Sequence, residues 1–250
     1  MTATSDSKKD GGFLETVRVI VHALLIALVI RTLLFQPFNI PSGSMKDTLL
    51  IGDYLFVSKF SYGYSRYSIP FSPNLFEGRI FGSEPTRGDV AVFKLPKDNE
   101  TDYIKRVVGL PGDSIQMIAG VLNINGVPVK RERLSDVMED DGSGRVVPVK
   151  RWRETLPNGV SYETLDIVDN GFYDNTQVYK VPAGHYFMMG DNRDNSADSR
   201  VLSQVGYVPL ENFIGRAQVI FFSVDDHASA WQIWKWPWSV RWWRIGTLVR

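Results

Sequence analysis

The sequence predicts a mainly β protein: an antiparallel β-sheet domain with an inserted subdomain, preceded by one transmembrane α-helix. Three observations lead there. Residues Phe13 to Phe35 form an apolar run long enough to cross a bilayer, which takes roughly 20 residues. Beyond that run the apolar residues recur at every second position, the period of a strand. Gly and Pro, 21 and 13 among the 250 residues, punctuate this second part throughout.

The elements follow in order. Residues 1–12 are polar and end in Gly, and are expected to be a disordered tail. Residues 13–35 form the anchor, densest over Val19–Ile30. Arg18 and Arg31 lie toward its ends, where their stems can snorkel; His22 lies inside it. A cleavable signal peptide and a buried amphipathic helix are the rival readings. The exit Leu34-Phe35-Gln36-Pro37-Phe38 contains no small-x-small cleavage site, so the run is taken as an uncleaved anchor. Lys8, Lys9 and Arg18 on its N-terminal side, against Arg31 on the other, favour a cytoplasmic N-terminus with the bulk of the chain outside.

Strands are expected at Asp53–Lys59, Asp89–Lys94, Tyr103–Val108, Leu122–Val129 and Gln218–Ser223, the fourth of these folded over an Asn125-Gly126 hairpin turn. They divide into a core of two parts, 36–130 and 181–225. Residues 61–86, with Tyr62, Tyr64, Tyr67, Phe71, Phe76 and Phe81, read either as a long hairpin or as an apolar tip that touches the bilayer. Residues 131–180 are more polar. They carry Glu139-Asp140-Asp141 and then Gly142 and Gly144, and read as a partly loop-like inserted subdomain with no evident chemistry. The 226–250 tail holds six of the seven Trp, interleaved with Lys235, Arg241 and Arg244. That composition suits a bilayer interface; a Trp-rich packing strand or dimer contact is the alternative.

Composition narrows the chemistry. Lys plus Arg equal Asp plus Glu at 28 each, so charge offers no argument for nucleic acid. The absence of Cys excludes thiol catalysis and disulfides. His22, His185 and His227 are scattered, with no H-E-x-x-H, which speaks against a zinc hydrolase. A hydrolase built on this chain needs another base, and Ser with Lys is the remaining common pairing. Ile40-Pro41-Ser42-Gly43-Ser44-Met45 brings two hydroxyls together over a glycine, although taken alone it is also ordinary turn material. Lys105 lies inside an apolar strand with Arg106 on the opposite face. Turned inward, helped by a second positive neighbour, it would lose much of its pKa; turned outward, it would snorkel. Gly190–Arg200 is a dense Gly, Asp, Asn, Ser and Arg loop. As a calcium loop it lacks the required spacing, and Arg193 and Arg200 offset its carboxylates.

Five boxes occur in one order: Pro41-Ser-Gly-Ser-Met45, Ile51-Gly-Asp53, Arg87-Gly-Asp89, Tyr103-Ile-Lys-Arg106 with Gly109-Leu-Pro-Gly-Asp113, and Gly190–Arg200. Together they resemble bacterial type I signal peptidase, a family of Ser–Lys dyad serine proteases. The resemblance covers most of 36–223 apart from the two insertions. It implies that Ser44 is the nucleophile and Lys105 the general base. Ser42 and the Ser44 backbone N–H would form the oxyanion hole, and Ser196 would hydrogen-bond and orient the lysine. Gly190 would keep its loop close to the lysine, and Asp198 with Arg200 would brace it. Small side chains of an extended substrate would meet Phe38, Ile40, Pro41, Met45, Leu49, Leu55, Val92, Tyr103 and Ile104. The implied reaction is cleavage of signal peptides from exported preproteins after Ala-x-Ala, through an acyl-enzyme, with no metal or cofactor. The implied setting is the bacterial inner membrane: a single pass, the catalytic domain on the periplasmic face, membrane lipid and the secretion translocon nearby, and no nucleic acid.

There are departures from the family. Asp47 stands where the family commonly has Pro, many relatives have two anchoring helices, and some have a disulfide. Other functions weighed are a membrane-tethered binding or assembly protein and a relative specialised for one substrate. A penicillin-recognising acyltransferase is set aside, because its Ser-x-x-Lys occurs only as Ser5 to Lys8 and no Lys-Thr-Gly follows.

Overall fold

A computed structural model describes residues 10–140, 145–225 and 231–250. The apolar run is one helix, α1 (Asp10–Leu33). Its Gly12–Leu33 segment is long and apolar enough to cross a membrane, and none of it is buried against the protein. That removes the buried-helix reading. The expected tail lies outside the described residues over 1–9, and its last three residues already belong to the helix.

Fifteen strands follow in the described residues: β1 (Phe35–Asn39), β2 (Asp53–Ser58), β3 (Val90–Lys94), β4 (Asp102–Gly109), β5 (Ser114–Ile118), β6 (Val121–Ile124), β7 (Val127–Pro128), β8 (Lys130–Arg133), β9 (Val137–Asp140), β10 (Val146–Thr155), β11 (Ser161–Asp166), β12 (Tyr179–Lys180), β13 (His185–Met189), β14 (Val208–Pro209) and β15 (Phe213–Ser223). Seven form an antiparallel sheet in the order β1-β2-β15-β3-β4-β13-β14. Two four-stranded sheets flank it, one of β12-β5-β6-β7 and one of β11-β10-β8 with β9 added on β10. The mainly antiparallel fold is the expected one.

All five expected strands form. Val90-Ala91-Val92-Phe93 shows why β3 reads as a continuous apolar run. Val90 and Val92 enter one core cluster, with Leu55, Met45 and Leu49, while Ala91 and Phe93 enter another, with Val107 and Met188. Asn125 and Gly126 have φ of 55° and 78°, the left-handed pair that a two-residue hairpin turn between β6 and β7 requires.

Three differences have physical causes. The anchor stops short of Phe35, because Phe35–Asn39 leaves the helix as strand β1. Pro37 suits that place, since β1 is an edge strand and needs no N–H for a second neighbour. The 131–180 segment, read as partly loop-like, holds more strand than its polar composition suggests. It supplies β8 to β11, and Lys150, Arg151 and Arg153 put charge on both faces of β10, which hides the strand alternation. Residues 61–86 form no long hairpin: a single bridge joins Tyr64 to Ile80, and Phe71, Leu75 and Phe81 are left exposed beyond its turn.

The tail from residue 231 folds back on the main sheet. Val240 and Leu248 bridge to Val224 and Val219, and Val249 enters the core. Arg244 donates to the buried Asp53 carboxylate at 2.6 Å.

Candidate active site

Ser44 sits in a single 3-10 turn, Gly43–Met45, between β1 and β2. Lys46 N–H closes the turn on Gly43 O at 3.1 Å, and Met45 is fully buried beneath it. Gly43 is not in a left-handed conformation, and a Cβ there would meet only the flexible Lys46 stem. The expected glycine-dependent turn is therefore not what shapes this loop. Asn192 holds it from outside: its backbone N–H donates to Ser44 O and its side-chain amide to Gly43 O, each at 3.1 Å.

Lys105 extends from β4 with its Nζ 2.6 Å from Ser44 Oγ and 3.0 Å from Ile104 O. Only 3% of the residue is exposed. Burial lowers its pKa from 10.5 to about 8, and the carboxylates of Asp198 and Asp191 act against that fall. The second positive neighbour considered from sequence plays no part. Arg106 is on no open face; it is fully buried, with its guanidinium forked onto Asp191 at 2.9 and 2.7 Å.

Ser42 Oγ lies 3.4 Å from Ser44 Oγ. Ser196 Oγ is buried and has no hydrogen-bond partner of good geometry among the described residues, so the expected bond to Lys105 is not made. It lies near enough to Asp198 to help keep that carboxylate ionised. Gly190 is the glycine this site depends on: a Cβ there would stand 2.2 Å from Ser196 Oγ and 2.5 Å from Ser44 O. Asp198 accepts from Gly190 N–H at 3.0 Å and from the Arg200 fork at 2.9 and 2.8 Å. Burial pushes the Asp198 carboxyl up, but Arg200 beside it more than offsets this and holds it below the usual carboxylate range. The loop's carboxylates are engaged with protein partners: Asp191 with Arg106, Asp198 with Arg200, and Asp194 with the N–H groups of Ile167 and Val168.

Ser44 and Lys105 stand in the wall of a cleft of about 520 Å³. Phe38, Ile40, Pro41, Val92, Tyr103 and Ile104 line it, as expected. Met45, Leu49 and Leu55 do not. Each is 0% exposed, packed in the core cluster that supports the lining. Asn39, Thr101, Asp102, Asn195 and Ala197 also line the cleft and were missed. The sequence carries a signal for Asn39, between Phe38 and Ile40, and for Asn195 and Ala197, which lie inside the Gly190–Arg200 box. Asn192, also missed, is recognisable only as one of several amides in a polar loop.

Residues 13–222 match the family model described as "Signal peptidase, peptidase S26". The chain is 49% identical to the signal peptidase I of Rickettsia typhi over 208 residues, covering 80% of this chain and 76% of that protein. It is 48% identical to the signal peptidase I of Rickettsia conorii with the same coverage. A solved signal peptidase I from Enterococcus faecalis V583 is similar at a TM-score of 0.32 and 27% identity, over 54% of this chain and 97% of that one.

Proposed function

This chain belongs to the signal peptidase family of serine peptidases, as a membrane-anchored enzyme that cleaves signal peptides, and from that premise we propose that Ser44 and Lys105 are its catalytic dyad. The observation that carries the proposal is the 2.6 Å contact between Ser44 Oγ and an almost wholly buried Lys105 amine in the wall of an apolar cleft.

The neutral amine accepts the Ser44 proton as Oγ attacks the scissile carbonyl. Ser42 Oγ and the Ser44 N–H stabilise the developing oxyanion. The ammonium then protonates the leaving amine. An acyl-enzyme remains on Ser44, and water activated by the regenerated amine hydrolyses it. With a pKa of about 8, a useful fraction of Lys105 is neutral near physiological pH, which an ordinary lysine does not offer. Ser196 and Gly190 keep the amine's surroundings tight. The substrate binds extended, its backbone adding to the open edge of β1, and small residues in an Ala-x-Ala pattern fit the Phe38, Ile40 and Ile104 lining.

In this reading 36–130 and 181–225 form the catalytic core and 131–180 is inserted between them. The chain crosses the bacterial inner membrane once, with its N-terminus cytoplasmic and the cleft on the periplasmic side, near the translocon that delivers preproteins. The exposure of Trp231, Trp234, Trp238, Trp242 and Trp243 supports reading the tail as an interfacial segment. The test uses a purified preprotein: Ser44→Ala and Lys105→Met each abolish cleavage while the protein stays folded. Cleavage retained by either folded variant refutes the dyad.

A further inference from the structure

We propose that the β8–β11 sheet is a positioning platform for the dyad, with Arg151 and Glu154 as positioning residues that act through the loops on either side of Ser44. The proposal rests on the Ser44–Lys105 reading and gives the inserted subdomain a part in the reaction.

The first contact is made by backbone. Leu165 of β11 donates its N–H to Asp191 O at 2.9 Å and accepts from Arg193 N–H at 2.9 Å. Between those residues, Asn192 N–H turns the other way and donates to Ser44 O. The Asp191–Arg193 stretch is thus held like a strand between β11 and the nucleophile turn. Displacement of β11 passes through one residue to Ser44.

The second contact secures that stretch from β10. Arg193 forks onto Glu154 at 2.9 and 2.6 Å, and both residues are almost fully buried. Tyr162 of β11 donates its hydroxyl to the same carboxylate at 3.0 Å. Removing one member of such a pair strands the other charge, so the arrangement is held tightly in place.

The third contact grips the residues that follow the nucleophile. Arg151 of β10 donates to Asp47 at 2.6 Å, and Lys46 pairs with Glu139 of β9. Lys46 has φ −56° and ψ 143°, the extended conformation favoured before a proline. Among the described residues the Asp47 N–H donates to no protein acceptor. Position 47 therefore meets two requirements of a proline. In this chain, charge from the platform restrains a backbone that a proline ring would restrain by itself.

The test uses the full chain in detergent micelles with a purified preprotein bearing an Ala-x-Ala site. Arg151→Ala should lower kcat about tenfold with KM changed less than about twofold, because the loop loses position and the cleft keeps its lining. Adding Asp47→Pro to Arg151→Ala should return most of that loss. Glu154→Gln should lower kcat and move the pH midpoint of kcat/KM, since the loop it secures also carries the groups facing Lys105. A merely structural part would lower the melting temperature without the proline rescue or the moved midpoint. For the unmodified chain, about 1 M salt cuts the screening length to about 3 Å and should depress kcat more than in Asp47→Pro. That comparison decides the matter if Arg151→Ala does not fold. Native kcat in folded Arg151→Ala, a loss that Asp47→Pro leaves unrepaired, or equal salt responses overturn the platform. Failure of the native chain to cleave, or cleavage by Ser44→Ala, would overturn the dyad reading instead.

Discussion

Replacing Lys105 by Met should stabilise the protein while abolishing its activity. Lys105 is 3% exposed, and its pKa falls from 10.5 to about 8, chiefly through burial. That fall corresponds to a cost of about 3 kcal/mol for carrying the folded-state charge at neutral pH. Methionine removes the charge and nearly preserves the volume. It also removes hydrogen bonds to Ser44 Oγ and Ile104 O, each worth about 1 kcal/mol. The net gain is about 1–2 kcal/mol, or about 3–6 °C in Tm for a domain of this size.

The pH dependence identifies the cause. Below pH 8 the lysine is protonated in both folded and unfolded chains, and the full cost is present. Between pH 8 and 10.5 the folded chain loses its proton while the unfolded chain keeps it, so native stability rises relative to Lys105→Met. The Tm gap should therefore be widest below pH 8 and narrow as pH approaches 10.5. Lys59, also buried and lowered to about 8, is common to both proteins and cancels. Thermal melts of both proteins in detergent from pH 6.5 to 10 measure the gap. A variant that melts below the native protein at pH 7, or a gap that does not narrow, refutes the assignment of a buried, destabilising lysine.

Three further outcomes are expected. Initial-rate measurements should show kcat/KM rising with pH to a midpoint of about 8, because deprotonation creates the base; a profile flat from pH 6 to 10 contradicts this. Gly190→Ala should lower kcat by about 100-fold or more, since its Cβ would displace Ser196 Oγ or Ser44 O; single-turnover assays that find more than a tenth of native activity contradict it. Arg244→Ala should destabilise the fold by about 3 kcal/mol, because the fully buried Asp53 would keep only the Leu50 N–H and the Ser223 hydroxyl; chemical denaturation measures this.

The proximity of Lys105 to Ser44 was more legible in the sequence than the strands of the inserted sheet. A lysine within an apolar strand already implies desolvation, and the ordered boxes paired it with one serine among many. Strands with one or two apolar faces, such as β3 and β4, announce themselves. Those of the inserted sheet do not, because Val146–Thr155 carries charged side chains whose ion-pair partners lie on other segments, which no local period records. Met45, Leu49 and Leu55 show a related limit: composition marks a residue as apolar without saying whether it lines a cleft or supports the lining. Gly43 and Gly190 reverse the expected weights. The first stands beside the nucleophile with room to spare, and the second, far away in sequence, has none.

The junction between α1 and β1 has a consequence for geometry. Leu34 N–H still bonds to Ile30 O at 2.8 Å, and the next residue already belongs to the strand whose far end lines the cleft. Tyr64 Oη donates to Leu33 O at 2.8 Å, Lys59 N–H donates to Leu34 O at 2.9 Å, and the Phe35 and Phe60 rings meet edge to face 5.5 Å apart. A slack tether would raise only the local concentration of enzyme. This braced joint acts as a ruler: the height and tilt of the cleft follow from how the helix sits in lipid. Under the proposed Ser44–Lys105 reading, the length of a substrate's own apolar segment would then select which of its peptide bonds reaches the cleft.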